Sequence, residues 1–130
     1  MGRNDRLIIM DVNWKALEKA ARSLREAAPI IQEELGRAVM ELALLIEGHA
    51  KKLCPVDTGL LRSSILPVVE SWAEAYVGTN VKYAIFVEYG TRKTKAQPYL
   101  EPAFIQGKRQ AKAIFDRAIE RAMRRIGRIG

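Results

Sequence analysis

The triplet Asp57-Thr58-Gly59 is the part of the chain whose residue types most suggest chemistry. Aspartic proteases use two such triplets, from two lobes or two subunits, so that two carboxyl groups share one proton. This chain has one copy, and Leu60-Leu61-Arg62 after it favours a helical turn over an active-site loop. We therefore interpret Asp57 or Thr58 as the cap of a short helix, with Gly59 permitting a sharp approach.

The other groups that often take part in catalysis occur singly. His49 and Cys54 are the only histidine and cysteine, so a tetrahedral zinc set cannot be assembled and no intrachain disulfide can form. His49 continues the apolar spacing of its segment, which favours a core or boundary position, and Cys54 has no histidine beside it to activate a thiolate. Phosphate-binding glycine loops are also absent from the sequence. We expect no enzyme activity, metal, cofactor or small-molecule substrate.

Arg62 and Glu88 are, apart from Asp57, the only charged residues inside two glycine-containing segments, 54–65 and 83–91. Direct pairing of opposite charges acts at about 4–6 Å. We predict that Arg62 and Glu88 approach each other and so tie the first segment to the second.

A long helix must position these groups. Asn13 can cap a helix that begins at Trp14, and Pro55 ends it. Pro29 predicts a kink or a restart within the helix. The apolar stripe along this helix suits either a free coiled coil or a core helix packed on a sheet. The strand-like sequence that follows the helix favours the core helix. Apolar or small residues recur in steps of three and four, at Trp14, Leu17, Ala21, Leu24, Ala28, Ile31, Leu35, Ala38, Leu42 and Leu45.

Residues 64–70 and 72–78 are rich in Ile, Val, Trp and Tyr and predict two strands, with a turn at Glu70-Ser71 and an edge position for Pro67. Gly90 favours a helix over residues 83–89, because glycine often follows a helix C-terminus. A final helix is predicted over 102–126. The fold class is thus α+β: a long kinked N-terminal helix and a C-terminal helix packed on a small antiparallel sheet, with an arm at 1–12 and one domain at 13–130. The apolar side of the last helix carries Phe104, Ala111, Ile114, Phe115, Ala118, Ala122 and Ile126.

The net charge is +7, and most of the excess positive charge lies after residue 105, where there are eight basic residues and two acidic ones. Such a helix can contact nucleic acid, contact an acidic protein surface, or present a solvated face. The loop Thr91 to Pro98 adds Arg92, Lys93 and Lys95, and we expect it to be exposed, polar and mobile. No apolar stretch approaches the roughly 20 residues that span a bilayer.

The central segments resemble the phage tail-component family typified by the HK97 gene product ten protein. The likeness runs through Pro55 to Ile65, then Tyr83 to Thr91, then Ala96 to Ala103, in the same order and spacing. The resemblance implies a scaffold role, without catalysis, for its matching residues. These are Pro55, Asp57, Thr58, Gly59, Leu61, Arg62, Tyr83, Glu88, Gly90, Thr91, Pro98 and Pro102.

The resemblance further implies a structural virion protein of the head–tail junction, assembled in the bacterial cytoplasm and acting in tail completion or head–tail joining. Its expected partners are further copies in a ring, other neck and tail proteins, and non-specifically bound DNA, with no membrane. Arg92, Lys93 and Lys95 would face a neighbour or the channel. Acidic residues of the first helix (Glu33, Glu34, Glu41) and basic residues of the last (Arg121, Arg124, Arg125) could meet across subunits. A basic nucleic-acid-binding module and a toxin or small hydrolase are the rival functions.

Overall fold

The computed structural model describes residues 14–55 and 59–129. Two long helices and a two-stranded antiparallel sheet confirm the α+β class. The predicted arm at 1–12 and the predicted cap Asn13 lie outside the described residues. The elements are α1 (Trp14–Leu53), α2 (Leu60–Ser64), β1 (Leu66–Ser71), β2 (Glu74–Gly78), α3 (Ala84–Tyr89) and α4 (Leu100–Ile129).

The helix α1 runs through Pro29 without interruption, so no restart occurs there. Proline removes one hydrogen bond to the carbonyl four residues back, which belongs to Arg25. Both Pro29 and Arg25 are exposed, so that carbonyl lies on the solvent side of the helix, where water can bind it.

The helices α1 and α4 pack against each other in antiparallel orientation along a seam of small residues. Ion pairs place Glu34 beside Arg121 and Glu41 beside Arg117, which fixes the direction of the pairing. Gly107 of α4 lies tightly against α1, since an added Cβ there would lie 2.6 Å from the side chain of Ile46. Fully or nearly buried alanines occupy the seam and the adjoining core, at Ala38, Ala50, Ala103, Ala118 and Ala122.

The larger core cluster lies where α1 ends. Cys54 from α1's exit, Leu61 from α2, Ile65 and Tyr99 are all buried there around Ile46. Full burial of such a side chain contributes about 1.5–3 kcal/mol relative to exposure. This cluster holds the two glycine-containing segments against the helical pair.

The hairpin is shorter than predicted, and its turn lies two residues later. Ser71 pairs with Glu74, so Trp72 and Ala73 form the loop, where the Ser71 hydroxyl accepts the Ala73 N–H at 3.2 Å. In this turn the Cα and Cβ of Trp72 lie beside Gly36 of α1, where an added Cβ would be 3.5 Å from the Trp72 Cβ. In a two-stranded sheet every strand has a free edge, so the predicted edge position of Pro67 is confirmed.

Candidate assembly surface

Glu88 on α3 is the group around which the second and third segments meet. Its side chain is buried, at 7% exposure. One carboxylate oxygen, Oε1, accepts the backbone N–H groups of Tyr99 (3.1 Å) and Leu100 (2.9 Å), and Oε2 accepts that of Glu101 (3.0 Å). Glu88 therefore caps α4 from a separate element and places its carboxylate at the positive end of the helix dipole.

Pro102 completes the hydrogen bonding at the start of α4. The first four N–H groups of an α-helix have no partner within the helix. Here they belong to Tyr99, Leu100, Glu101 and Pro102, and proline has no N–H to satisfy. Three donors bind Glu88 and the fourth does not exist, so the buried helix start is fully satisfied. An unpaired buried donor would cost about 1–3 kcal/mol.

Arg62 does not pair with Glu88, so the ion pair expected from the sequence does not form. The Nε of Arg62 donates instead to the Lys51 carbonyl at 2.8 Å, in the last turn of α1. Carbonyls there lack helical partners and lie at the negative end of the dipole. Arg62 therefore binds the C-terminal end of α1, whereas Glu88 binds the N-terminal end of α4. Residue types alone show opposite charges but do not show unpaired backbone groups, which is why sequence reasoning missed both contacts.

The turn after α3 requires glycine at position 90. Gly90 has φ 79° and ψ 176°, a region that is essentially restricted to glycine. An added Cβ would also lie 2.7 Å from the backbone nitrogen of Ala96. Beyond the turn, the Gln97 N–H donates to the Val87 carbonyl at 2.8 Å and returns the chain to α3.

The basic turn, residues 91–95, is exposed and polar as predicted. The hydroxyl of Thr91 accepts the N–H groups of Lys93 (3.2 Å) and Thr94 (3.0 Å), and the Thr91 N–H donates to the Thr94 carbonyl at 2.9 Å. The cations Arg92, Lys93 and Lys95 therefore project from a turn whose backbone is bonded to itself, and not from a segment without internal contacts.

The remaining motif residues have structural positions. Leu61 is buried, and the half-buried Pro55 accepts the Cys54 thiol at its carbonyl (3.4 Å). Gly59, at φ 77°, precedes α2, and Tyr83 precedes α3, while Pro98 is exposed just before Tyr99. The capping role predicted for Asp57 or Thr58 lies outside the described residues.

The singly occurring catalytic residue types lie in or near the core. Burial raises the pKa of the Cys54 thiol, which opposes the thiolate needed for a nucleophile. Burial likewise raises the pKa of Tyr99 to about 12. Within residues 14–55 and 59–129, the Tyr99 hydroxyl and His49 Nε2 are buried without hydrogen-bond partners. The same residues contain no group of three or more metal-binding side chains and no helix suited to crossing a membrane.

Glu34 is a buried carboxylate that joins the two long helices. It is 1% exposed and accepts Arg121 Nε at Oε1 (2.8 Å) and Arg125 Nη1 at Oε2 (2.7 Å). Arg125 also pairs with Glu33, and Arg37 lies 3.8 Å from Glu34. The hydrogen bonds from Arg121 and Arg125 hold the pKa of Glu34 below its ordinary value. Sequence reasoning placed Glu34 on an exposed acidic patch, because its basic partners are more than 80 residues away.

The acidic and basic patches predicted to meet across subunits therefore meet within one chain. Arg117 adds a further pair with Glu41 at 3.3 Å. Of the three arginines proposed as subunit contacts, Arg121 and Arg125 bind carboxylates of α1. Arg124 is exposed and has no ion pair within the described part of the chain. Arg124 and the basic turn remain as candidate contacts.

An apolar surface covers the outer side of the hairpin and continues onto α3. Val68 and Tyr76 are cross-strand partners on the outer side. Two shallow depressions, one along the hairpin and one along α3, share Gly78 and Thr79 and so form a continuous surface. We call it the hairpin–α3 surface. Its exposed members are Leu66, Val68, Tyr76, Ile85, Tyr89 and Phe104.

Comparison with protein families places residues 15–90 in the family described as "Bacteriophage HK97-gp10, putative tail-component". The matched region contains most of α1, the hairpin and α3, and it ends at Gly90, so the third segment and α4 lie beyond it. Comparisons with curated proteins and with solved structures gave no match. Since the match covers more than half of the 130 residues, the chain belongs to this family of bacteriophage tail components.

Proposed function

We propose that this tail component is a non-enzymatic structural protein of the head–tail junction, where it acts in tail completion or head–tail joining as a subunit of a ring. The hairpin–α3 surface is the observation that carries the proposal. Of the six residues of α3, this surface includes Ile85 and Tyr89, which are large and exposed, with Tyr89 at 76%. Contiguous apolar surfaces of this kind mark sites of protein association.

In a ring, each subunit contacts the next through two different patches of its surface. Such a head-to-tail interface gives a closed ring when the rotation between neighbours closes. The hairpin–α3 surface supplies an apolar patch. The basic turn follows α3 directly and supplies a charged patch with three exposed cations, Arg92, Lys93 and Lys95. We propose that the basic turn contacts a neighbouring subunit, another neck or tail protein, or the channel through which DNA passes.

The test is the state of assembly of the purified protein. Light scattering over a range of concentrations should show a mass above that of the monomer, alone or after addition of isolated tails, and electron microscopy should show rings or caps at tail ends. A chain that stays monomeric at every concentration and does not bind tails would contradict the proposal.

Non-specific DNA binding is the second candidate, and the exposed cations of the basic turn together with Arg124 favour it. Binding by backbone electrostatics weakens steeply with salt, because each neutralised phosphate releases counterions. DNA retention that falls steeply between low and physiological salt, in a protein that forms no assemblies, would support this function over the structural one.

A further inference from the structure

The inner side of the hairpin leaves an open apolar groove between β2 and α4. It has a volume of about 280 Å³ and is lined by Ala75 and Val77 of β2, Leu42 and Ile46 of α1, and Ala111 and Phe115 of α4. No residue of β1 lines it, so the groove lies on the side of β2 that is away from its partner strand. It adjoins the hairpin–α3 surface at Phe104, which lines both, but it lies on the opposite side of the hairpin from Val68 and Tyr76.

The groove has the features of a site for an added strand. In the described chain β2 pairs only with β1, so its second edge has unpaired backbone donors and acceptors. An extended peptide can bind such an edge through main-chain hydrogen bonds while alternate side chains enter pockets beneath it. Apart from Lys108 on α4, the residues that line the groove are apolar, so the side chains that enter it should be apolar as well.

Residues 7–12, with the sequence Leu-Ile-Ile-Met-Asp-Val, fit that requirement. Side chains of a strand alternate between two faces. One face carries Ile8, Met10 and Val12 and is wholly apolar, while the other carries Leu7, Ile9 and Asp11. The first face suits the groove, and the second would leave the carboxylate in solvent.

The chain's own residues 7–12 cannot reach its groove. The groove lies beside residues 39–46 of α1, which are 25 to 32 residues beyond Trp14. At about 1.5 Å per helical residue this is a distance of roughly 38–48 Å. Residue 7 is seven residues from Trp14 and can extend at most about 25 Å from it. A strand in the groove must therefore come from another molecule.

We propose that the groove takes residues 7–12 of a second copy of this chain as a third strand of the sheet. This contact joins unlike surfaces, so its repetition produces a ring or a head-to-tail chain. The inference rests on the proposed assembly function and names the contact that builds the assembly. It also gives a role to the first part of α1, whose described side chains from Lys19 to Glu26 are exposed.

The first test is cross-linking between two differently substituted pools of the full chain. One pool carries Ile8→Cys and the other carries Ala111→Cys, and they are mixed with a short bismaleimide. A heterodimer is expected. Ala113→Cys is the matched control, because Ala113 is exposed two residues further along α4 and outside the groove. Cys54 is buried and should not react. Equal yields from the Ala111 and Ala113 pools, or no heterodimer at the highest concentration, would overturn the proposal.

The second test uses charge. Ile8→Asp and Ala111→Glu should each weaken the apparent affinity of self-association at least tenfold. Ile9→Asp and Ala113→Glu should leave it unchanged. Far-ultraviolet circular dichroism of each variant checks that it is folded. Assembly that survives Ile8→Asp but not Ala111→Glu would assign the groove to a different occupant and overturn the proposal. Assembly unaffected by both, with no cross-link, would reject the strand exchange while leaving the ring function intact.

Discussion

Glu88 shows how one residue can decide the position of a helix. Its carboxylate accepts three backbone N–H groups of α4 within a buried site. We expect Glu88→Ala to lower the free energy of unfolding by about 2–4 kcal/mol, because hydrogen bonds to a charged group are lost and buried donors remain unpaired. Urea denaturation measures this loss. Glu101→Ala is the control, since that carboxylate is exposed on the first turn of the same helix. Equal losses in the two variants would contradict the capping role.

Gly90 and Gly59 offer a matched pair for backbone strain. Both have positive φ, at 79° and 77°, but among the described residues an added Cβ meets backbone atoms at Gly90 and not at Gly59. We expect Gly59→Ala to cost about 1–2 kcal/mol of unfolding free energy, the penalty of a left-handed conformation. Gly90→Ala should cost more, because the turn must also shift to avoid the Ala96 nitrogen. A smaller loss at Gly90 than at Gly59, in the same denaturation assay, would show that the turn adapts easily.

Tyr99 should make the protein sensitive to alkaline pH. Its folded pKa is raised to about 12, while an unfolded tyrosine titrates near 10. The folded state therefore prefers the protonated phenol. That preference contributes its full stability below about pH 10 and is lost as pH rises through 12. Thermal melting from pH 9 to 12 should show this decline.

Tyr99→Phe is the variant that isolates the effect. The buried hydroxyl has no hydrogen-bond partner in the described structure, so its removal should leave stability at pH 7 unchanged or raise it. The variant should also lose less stability than the wild type between pH 10 and 12. A marked destabilisation at pH 7 would show that the hydroxyl is satisfied by water.

At the scale of elements, the pairing of α1 with α4 depends on Glu34. Its pKa is lowered in the folded state, so the carboxylate stabilises the fold above the ordinary glutamate pKa and loses this effect as pH falls towards the lowered value. Glu34→Gln should therefore have a lower melting temperature than the wild type at neutral pH, and the difference should shrink in acid. Glu33→Gln is the control, because Glu33 is half exposed and, among the described residues, pairs with Arg125 alone. A difference independent of pH would contradict this assignment.

The elements themselves were largely predictable, because they follow from local signals. Spacing of apolar residues along α1, Pro55 after it and Gly90 after α3 each act within a few residues. The turn of the hairpin was misplaced; the observed turn places Trp72 beside Gly36, a residue more than 30 positions earlier that no local signal connects to it. The partners of Arg62, Glu88 and Glu34 were missed for the same reason. Each binds a group 11 or more residues away, and in two cases the group is backbone.

In the molecule as a whole, the apolar residues fall into two groups. Buried ones stabilise the fold, and exposed ones are available for the proposed assembly. The core uses mainly alanines between α1 and α4, while larger side chains such as Ile85 and Tyr89 are left outside. An exposed side chain contributes little to folding, because it has not left water. Its presence in a contiguous patch is the basis for the proposed contact with another molecule.

The hairpin–α3 surface can be tested by removing that exposed apolar area. Ile85→Ser with Tyr89→Ser should weaken self-association or binding to tails at least tenfold, while the free energy of unfolding changes by less than about 1 kcal/mol. Met123→Ser is a close control, because Met123 and Ile85 have the same exposure of 64% and Met123 lies on α4 outside the surface. Light scattering and urea denaturation give the two measurements. Loss of association in the Met123 variant as well would indicate general apolar adhesion. Association that persists in the double variant would exclude this surface from the assembly and leave the contact to the β2–α4 groove alone.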